Sequence, residues 1–540
     1  MNRRMFLSVQ RESQAFGNGL AQNPQPGADP RFAQRTTAGL QPFVPTKDNP
    51  WDYAKAAHLL RRCVIGITDK EIRQVVTDGL DATITKLLTP FSPDTSEISD
   101  INVQDVRVRP DSAAEQQAYL DDLFRKRGKL TRWWPKHITK SPVSIQEKLT
   151  LFWHGHFVSE IDVVNFAEYM FVQNQTCRNN MLGDFRQFVK DITIDPAMLI
   201  YLDNGKNFKS GARSNINENY ARELMELFTC GVTDWDNKPN YTETDVYEAA
   251  RALTGWGITP STKGATFLGI TGIFINTRWD SGSKTVLGKS GQFKAYDVID
   301  VIFEQRADQT SKYICEKLYH EFVYHIADRD IVGQMAQTFR QSNWNIRAVV
   351  EQLLRSEHFF DPTNIGAKQS SPAEYMLGMI RGWGLGNVPD FQLSAQSRFT
   401  QNLGDRMATQ GQILYNPPDV KGWRAGRTWV STSTLPLRQK FALDVIDGLI
   451  KAQNVAIYTF DPIAFAQTFP SPTNAKKLCE EMSQYLLNVP PSAKEAKMLL
   501  DTLLDGSPDY EWNIANAQYA APRIRKFLKA AVQLAKFQLT

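Results

Sequence analysis

Apolar residues return every three or four positions through most of this chain, the spacing of one buried helical face. After Asp48-Asn49-Pro50-Trp51, the residues Ala54, Ala57, His58 and Leu60 follow that spacing until Ile65-Gly66 breaks it. Thr68 and Glu71 then make a capping box for a helix ending near Gly79, and a further helix from Leu80 to Leu88 stops at Pro90. Residues 91–112 are polar and loop-like. The pattern predicts helices near 113–128, 144–158, 165–178, 181–192 and 196–203, a mobile connection over 204–214, and a helix over 217–228. The next helix, capped by Thr242 through Asp245, is expected to run through Trp256 and to end on Gly255 and Gly257. Residues 265–270 and 272–275 read as strands. Helices resume over 294–358 and 372–385. Residues 403–436 are irregular and rich in glycine and tryptophan, and the last hundred residues return to helices. The expected fold is mainly α, a large multi-helix assembly with a small β-hairpin element near 264–290. Its expected parts are a flexible arm over 1–50, a main helical domain over 51–445, and a C-terminal helical segment over 446–540 packed on it.

Composition narrows the function classes. The chain has 540 residues, enough for a self-sufficient core. Its 62 basic and 58 acidic side chains nearly cancel, leaving a formal charge of +4 with no sustained basic stripe, so nucleic acid is not an expected partner. Five scattered cysteines show no CxxC spacing, which disfavours a zinc ribbon or a thioredoxin-like centre and favours buried free thiols. No apolar run approaches the length of a membrane span. The start, Asn2-Arg3-Arg4-Met5-Phe6-Leu7, looks like a twin-arginine export motif, but the polar Ser8–Gln14 stretch follows where an apolar segment is required. A cytoplasmic protein with a degenerate signal is therefore favoured, and periplasmic export by the twin-arginine route is the alternative.

The densest polar stretch is Asn217–Leu227. On a helix, Asn219, Glu223 and Glu226 share a face, while Glu218 and Arg222 form an i, i+4 pair, with Asn215 as a candidate cap. Two carboxylates one turn apart repel unless a cation, an arginine or a shared proton intervenes. Glu223 and Glu226 are thus candidates for an acid/base pair or a metal site. The competing reading is an ion-pair hub using Arg222, Arg251 or Arg186. A second cluster, Trp153-His154-Gly155-His156, offers two imidazoles, which diverge by about 200° on a continuous helix and converge only if Gly155 breaks it. His154, His156 and Glu223 are the candidate ligands for a divalent metal, and His154 and His156 are candidate acid/base groups with the glutamates. Asp280 and Lys284, in Trp279–Gly288, are candidate binding residues, although the spacing does not satisfy a phosphate loop and a lysine turn closing a hairpin fits better. Trp423 and Trp429, in Pro417–Trp429, either line a groove or plug the core.

Together these segments resemble the bacterial family known as domain of unknown function 1800. The matching pieces are Ala57–Arg62, Leu149–Phe157, Asp195–Leu199 with Tyr201–Asn204, and Asn217–Leu227. They continue through Tyr241–Glu243, Ala249–Trp256, Gly282–Gly288, Ser371–Glu374 and Pro417–Trp429, covering roughly residues 52–445. The resemblance implies a large, mainly helical bacterial protein and no established reaction. It also implies a partner: a secreted sulfatase- and phosphatase-like protein of the domain of unknown function 1501 family. The chain departs from the family pattern at Trp279 and Phe228, where relatives carry histidine. Two functions remain in view: an acid/base or metal-dependent hydrolase-like enzyme acting on a carbohydrate or phosphorylated substrate, and a non-catalytic scaffold working with such a partner.

Overall fold

The structure, a computed structural model, describes residues 38–101, 112–258, 271–385, 403–424, 426–452, 455–456 and 460–540. The fold is mainly α, with strands that occur as two-stranded antiparallel pairs. Capping signals place several helices where the pattern puts them. Thr68 and Glu71 close a reciprocal box on Asp69–Asp78, Thr242 and Asp245 do the same for Glu243–Ala252, and Ser371 and Glu374 for Pro372–Gly382. One continuous apolar core runs from Leu40 to Val532. All five cysteines are free and buried in it. Among the described residues no helix is long and apolar enough to cross a membrane.

Several boundaries differ from the expected ones. The helix expected over 113–128 extends to Lys140 and contains Pro135. Glu243–Ala252 ends four residues before Trp256, which instead opens a strand, Trp256–Ile258, paired with Gly272–Phe274. The glycine at 255 has φ +91°, so the chain turns there before a helix could reach Trp256. Residues 259–270, where one strand of the hairpin was expected, lie outside the described residues. A second pair near this point, Lys284–Val286 with Lys289–Gly291, turns on Leu287 and Gly288, both at positive φ, rather than on Lys284. The 204–214 connection is ordered, with Phe208–Ser210 pairing with Arg213–Asn215. Within the expected N-terminal arm, Leu40 and Phe43 are buried, and the Phe43 amide donates to Arg355 O at 2.7 Å.

Candidate functional site

The helix Gln146–His156 is buried on nearly every side, so each of its polar residues must be satisfied internally. The Gln146 amide closes two bonds with the Phe91 backbone, at 3.0 and 2.8 Å. Glu147 accepts from Arg178 Nε at 2.9 Å and from Trp134 Nε1 at 2.8 Å. Lys148 pairs with both Glu321 and Glu374. The helix stays continuous through Gly155, and its two histidines point into different surroundings. His154 lies within an aromatic cage, its ring 5.5 Å from Trp134, 5.6 Å from Tyr415 and 5.6 Å from Trp423. Burial pushes its imidazole down to about 3, so it is neutral. His156 instead meets Phe228 O through Nε2 at 3.2 Å and Lys317 Nζ through Nδ1 at 3.0 Å. A carbonyl only accepts, so Nε2 carries the proton and Nδ1 accepts from Lys317. Burial, then the Lys317 charge, hold His156 well below its usual range.

The glycine between the histidines leaves room for the tryptophan loop. A Cβ on Gly155 would lie 3.3 Å from the Trp423 ring, and one on Gly422 (φ +84°) would lie 2.2 Å from Gly155 O. Both glycines are therefore set by the close approach of Pro417–Trp429 to the histidine helix.

Glu223 ends a short α-helix, Asn219–Glu223, which continues as a π-turn over Leu224–Phe228. Such one-turn π segments concentrate at functional sites. Thr229 Oγ1 closes the turn by donating to Leu224 O at 2.5 Å. Asn217, not Asn215, caps the start by accepting from the Asn219 amide at 3.0 Å, because Asn215 is held in a strand and donates to Lys206 O. Asn219 itself is exposed. Arg222 turns outward to Glu243, at 2.8 and 2.9 Å, and to Glu218 at 3.2 Å. Arg186 lies over the Phe303 ring. No cation among the described residues makes an ion pair with Glu223 or Glu226, which rules out the expected hub. Glu226 accepts from Tyr241 OH at 3.3 Å. Burial, and then the Glu226 carboxylate, raise Glu223 to about 7 against the pull of Lys421 and Arg222.

The histidine helix and the tryptophan loop meet at a cleft of about 310 Å³, whose lining includes neither Glu223, Glu226 nor His154. His156, Lys317, Lys421, Trp423 and Trp429 line it, together with Lys148, Glu321, Lys368 and Glu374. Lys317 lies on the helix Ala307–Phe322 and also donates to Leu227 O at 3.3 Å, which ties it to the π-turn. Glu321 sits between Lys148 and Lys368, the latter at 3.2 Å; burial opposes its ionisation, but the two lysines hold it below its ordinary value. Trp429 is nearly buried and Trp423 half-buried, so the loop both fills the core edge and walls the cleft.

Two sets of expected site residues do not come together. Among the described residues no three His, Cys, Asp or Glu side chains are arranged to hold a metal ion. His154 faces aromatic rings, and both nitrogens of His156 are engaged, so the structure does not bring His154, His156 and Glu223 together around one point. Arg251, Asp280 and Lys284 form a separate clasp. Arg251 Nε donates to Asp280 Oδ2 at 2.8 Å, and its guanidinium also holds Glu248. Lys284 Nζ donates to the carbonyls of Asp280 (2.5 Å) and Gly282 (2.8 Å) and stands 5.0 Å over the Trp279 ring. None of these three lines the cleft.

Lys148, Lys317, Glu321 and Lys368 carry no short motif that marks them in the sequence. The available signal was Lys317 and Glu321 at i, i+4, on the edge of the apolar stripe Ile314, Leu318 and Phe322. Comparison with curated proteins and with solved structures returns no match. The family model described as "Protein of unknown function (DUF1800)" matches residues 58–539, past the 445 boundary of the resemblance and through nearly the whole chain, so the chain belongs to that family.

Proposed function

We propose that the protein is an enzyme performing acid/base chemistry on a polar, anionic substrate bound in the cleft of His156, Lys317 and Trp423. The observation that carries this reading is Glu223: a half-buried carboxyl raised to about 7, with no ion-pair partner among the described residues, immediately before a π-turn whose Phe228 and Leu227 carbonyls contact the cleft's own His156 and Lys317. A group titrating near neutrality is matched to proton transfer at ordinary pH. Glu223 itself lies outside the lining, and Lys421, which lines the cleft and acts electrostatically on Glu223, is the link between them. Lys421 and Arg424 add positive charge to an aromatic-walled cleft, a combination suited to a phosphorylated or acidic carbohydrate. Hydrolysis is the simplest reaction such a site supports.

The test is turnover of a panel of nitrophenyl phosphates and glycosides by the full chain and by Glu223→Gln. A substrate that is turned over should lose about 100-fold or more in kcat in the variant. Undiminished turnover in Glu223→Gln, or no turnover of any panel member, counts against the reading. The scaffold reading draws on Arg222, Arg251, Asp280 and His154, all of which are engaged in pairing or packing. It does not explain a carboxyl left without an ion-pair partner beside a cleft.

A further inference from the structure

Lys317 differs from Lys148 and Lys368, the two buried lysines with which it shares the cleft. Lys148 and Lys368 are paired with Glu321 and Glu374. Lys317 has no carboxylate partner among the described residues; its two hydrogen bonds go to neutral acceptors, His156 Nδ1 at 3.0 Å and Leu227 O at 3.3 Å. An ammonium has three N–H groups and gains most from an anion, whereas a neutral amine has two. With both N–H bonds spent on these acceptors, the amine keeps its lone pair uncommitted on the lining of the cleft. The Tyr313 ring, 4.6 Å from Nζ, supplies an apolar floor. The titratable groups in touch with it are His156, held neutral, and His320 and Tyr313 on its own helix. Around the same lining stand Glu321 and Glu374, paired with Lys148 and Lys368, and the cations Lys421 and Arg424.

From this arrangement we infer that Lys317 captures a carbonyl compound, an aldehyde or ketone bearing an anionic group, as a covalent imine. The lone pair of Nζ adds to the carbonyl carbon, forming the C–N bond while the carbonyl π pair moves to oxygen. His156 Nδ1, the acceptor already in place, takes one proton from the nitrogen and passes it to that oxygen, which becomes a hydroxyl. The nitrogen lone pair then closes the C=N bond as the hydroxyl leaves with the second N–H proton, again carried by His156, as water: one carbonyl and one amine give one imine and one water. Burial supports the step by pushing the Lys317 ammonium down to about 7, so that a large share is free amine at neutral pH. Lys421 and Arg424, exposed on the same lining and without an ion-pair partner among the described residues, supply the attraction for the anionic group.

The inference rests on the cleft being the substrate site, but its test does not depend on turnover. The full-length protein is incubated with glyoxylate and cyanoborohydride, which reduces imines, and the modified lysines are mapped by peptide mass spectrometry. Lys317 should be modified roughly tenfold or more faster than surface lysines at pH 7, with a rate that rises through about pH 7 instead of near the ordinary lysine value of 10.5. Acetaldehyde, which lacks the carboxylate, should label Lys317 more slowly. Labelling spread evenly over surface lysines, or absent from Lys317, would overturn the inference, and equal labelling by acetaldehyde would overturn its anionic half. Lys317 labelling together with undiminished turnover in Glu223→Gln would leave this inference standing and remove the acid/base role of Glu223. The reverse pair of results would do the opposite.

Discussion

Glu223 owes its character to what is missing around it. Its neighbour in sequence, Arg222, is the obvious partner, yet the helix turns that guanidinium outward onto Glu243 and Glu218. Partly exposed pairs of this kind contribute on the order of 0–1 kcal/mol. Glu223 is left facing Glu226 and a desolvated wall, and its raised value has a consequence for stability. Between about 4.5 and 7 the folded state holds a proton that the unfolded state has released. Its favourable contribution is therefore complete below about 4.5 and is lost as pH rises through 7. Glu223→Gln removes that charge, and thermal melts should show the variant more stable than the parent by about 1–2 kcal/mol at pH 8, after discounting for solvent screening, with little difference at pH 4. Equal melting at both pH values would argue against a buried, uncompensated carboxyl. At this scale the sequence carried the pair itself, because i, i+4 and i+7 spacing put Asn219, Glu223 and Glu226 on one face. It could not show which way Arg222 would turn, since Glu243 is twenty-one positions away.

Elements were legible wherever local chemistry decides them. The capping boxes on Thr68, Thr242 and Ser371, like that on Ser492, form because a side-chain oxygen and a carboxylate three residues later satisfy each other's amides, an arrangement fixed by four residues. The π-turn over Leu224–Phe228 was not legible, because a 3.6-residue template also fits those positions and the extra residue per turn is set by packing. The hairpin over 208–215 was hidden for a similar reason: short polar strands carry little alternation. The approach of the tryptophan loop to the histidine helix is an element-scale contact with a sharp test. Gly422→Ala places a Cβ 2.2 Å from Gly155 O at φ +84°, so the loop must move away. The variant should lose about 2 kcal/mol or more of stability, and Trp423 should become more accessible to acrylamide quenching. Unchanged melting and unchanged quenching would mean that the two segments are not in contact.

Across the whole molecule, the chain's last residues brace the cleft. The Thr540 amide donates to Lys368 O at 2.7 Å, and the Ser370 amide donates to Gln538 O at 3.3 Å. The fully buried Arg438 donates through Nε to Gln538 Oε1 at 2.6 Å. Lys368 lies on the braced segment and lines the cleft. Deleting 538–540 should therefore speed amide exchange at Lys368 and Ser370 and cost about 1–3 kcal/mol, because Arg438 loses a buried acceptor. Exchange at those amides identical to that of the full chain would contradict the brace. No sequence pattern announces this link, which joins residues 172 positions apart. The same distance in sequence hid Lys148, Glu321, Lys368 and Glu374, which become one cluster only when their helices pack.

The claim that a carboxyl titrating near neutrality stands beside this cleft is tested most directly by infrared difference spectroscopy of the parent against Glu223→Gln across pH. The carboxyl band assigned to Glu223 should disappear with a midpoint near 7, and Glu226→Gln should move that midpoint down toward the ordinary value of 4.5. A midpoint already at the ordinary value in the parent would mean that Glu223 is a solvated surface acid, and the case for chemistry at this site would end there.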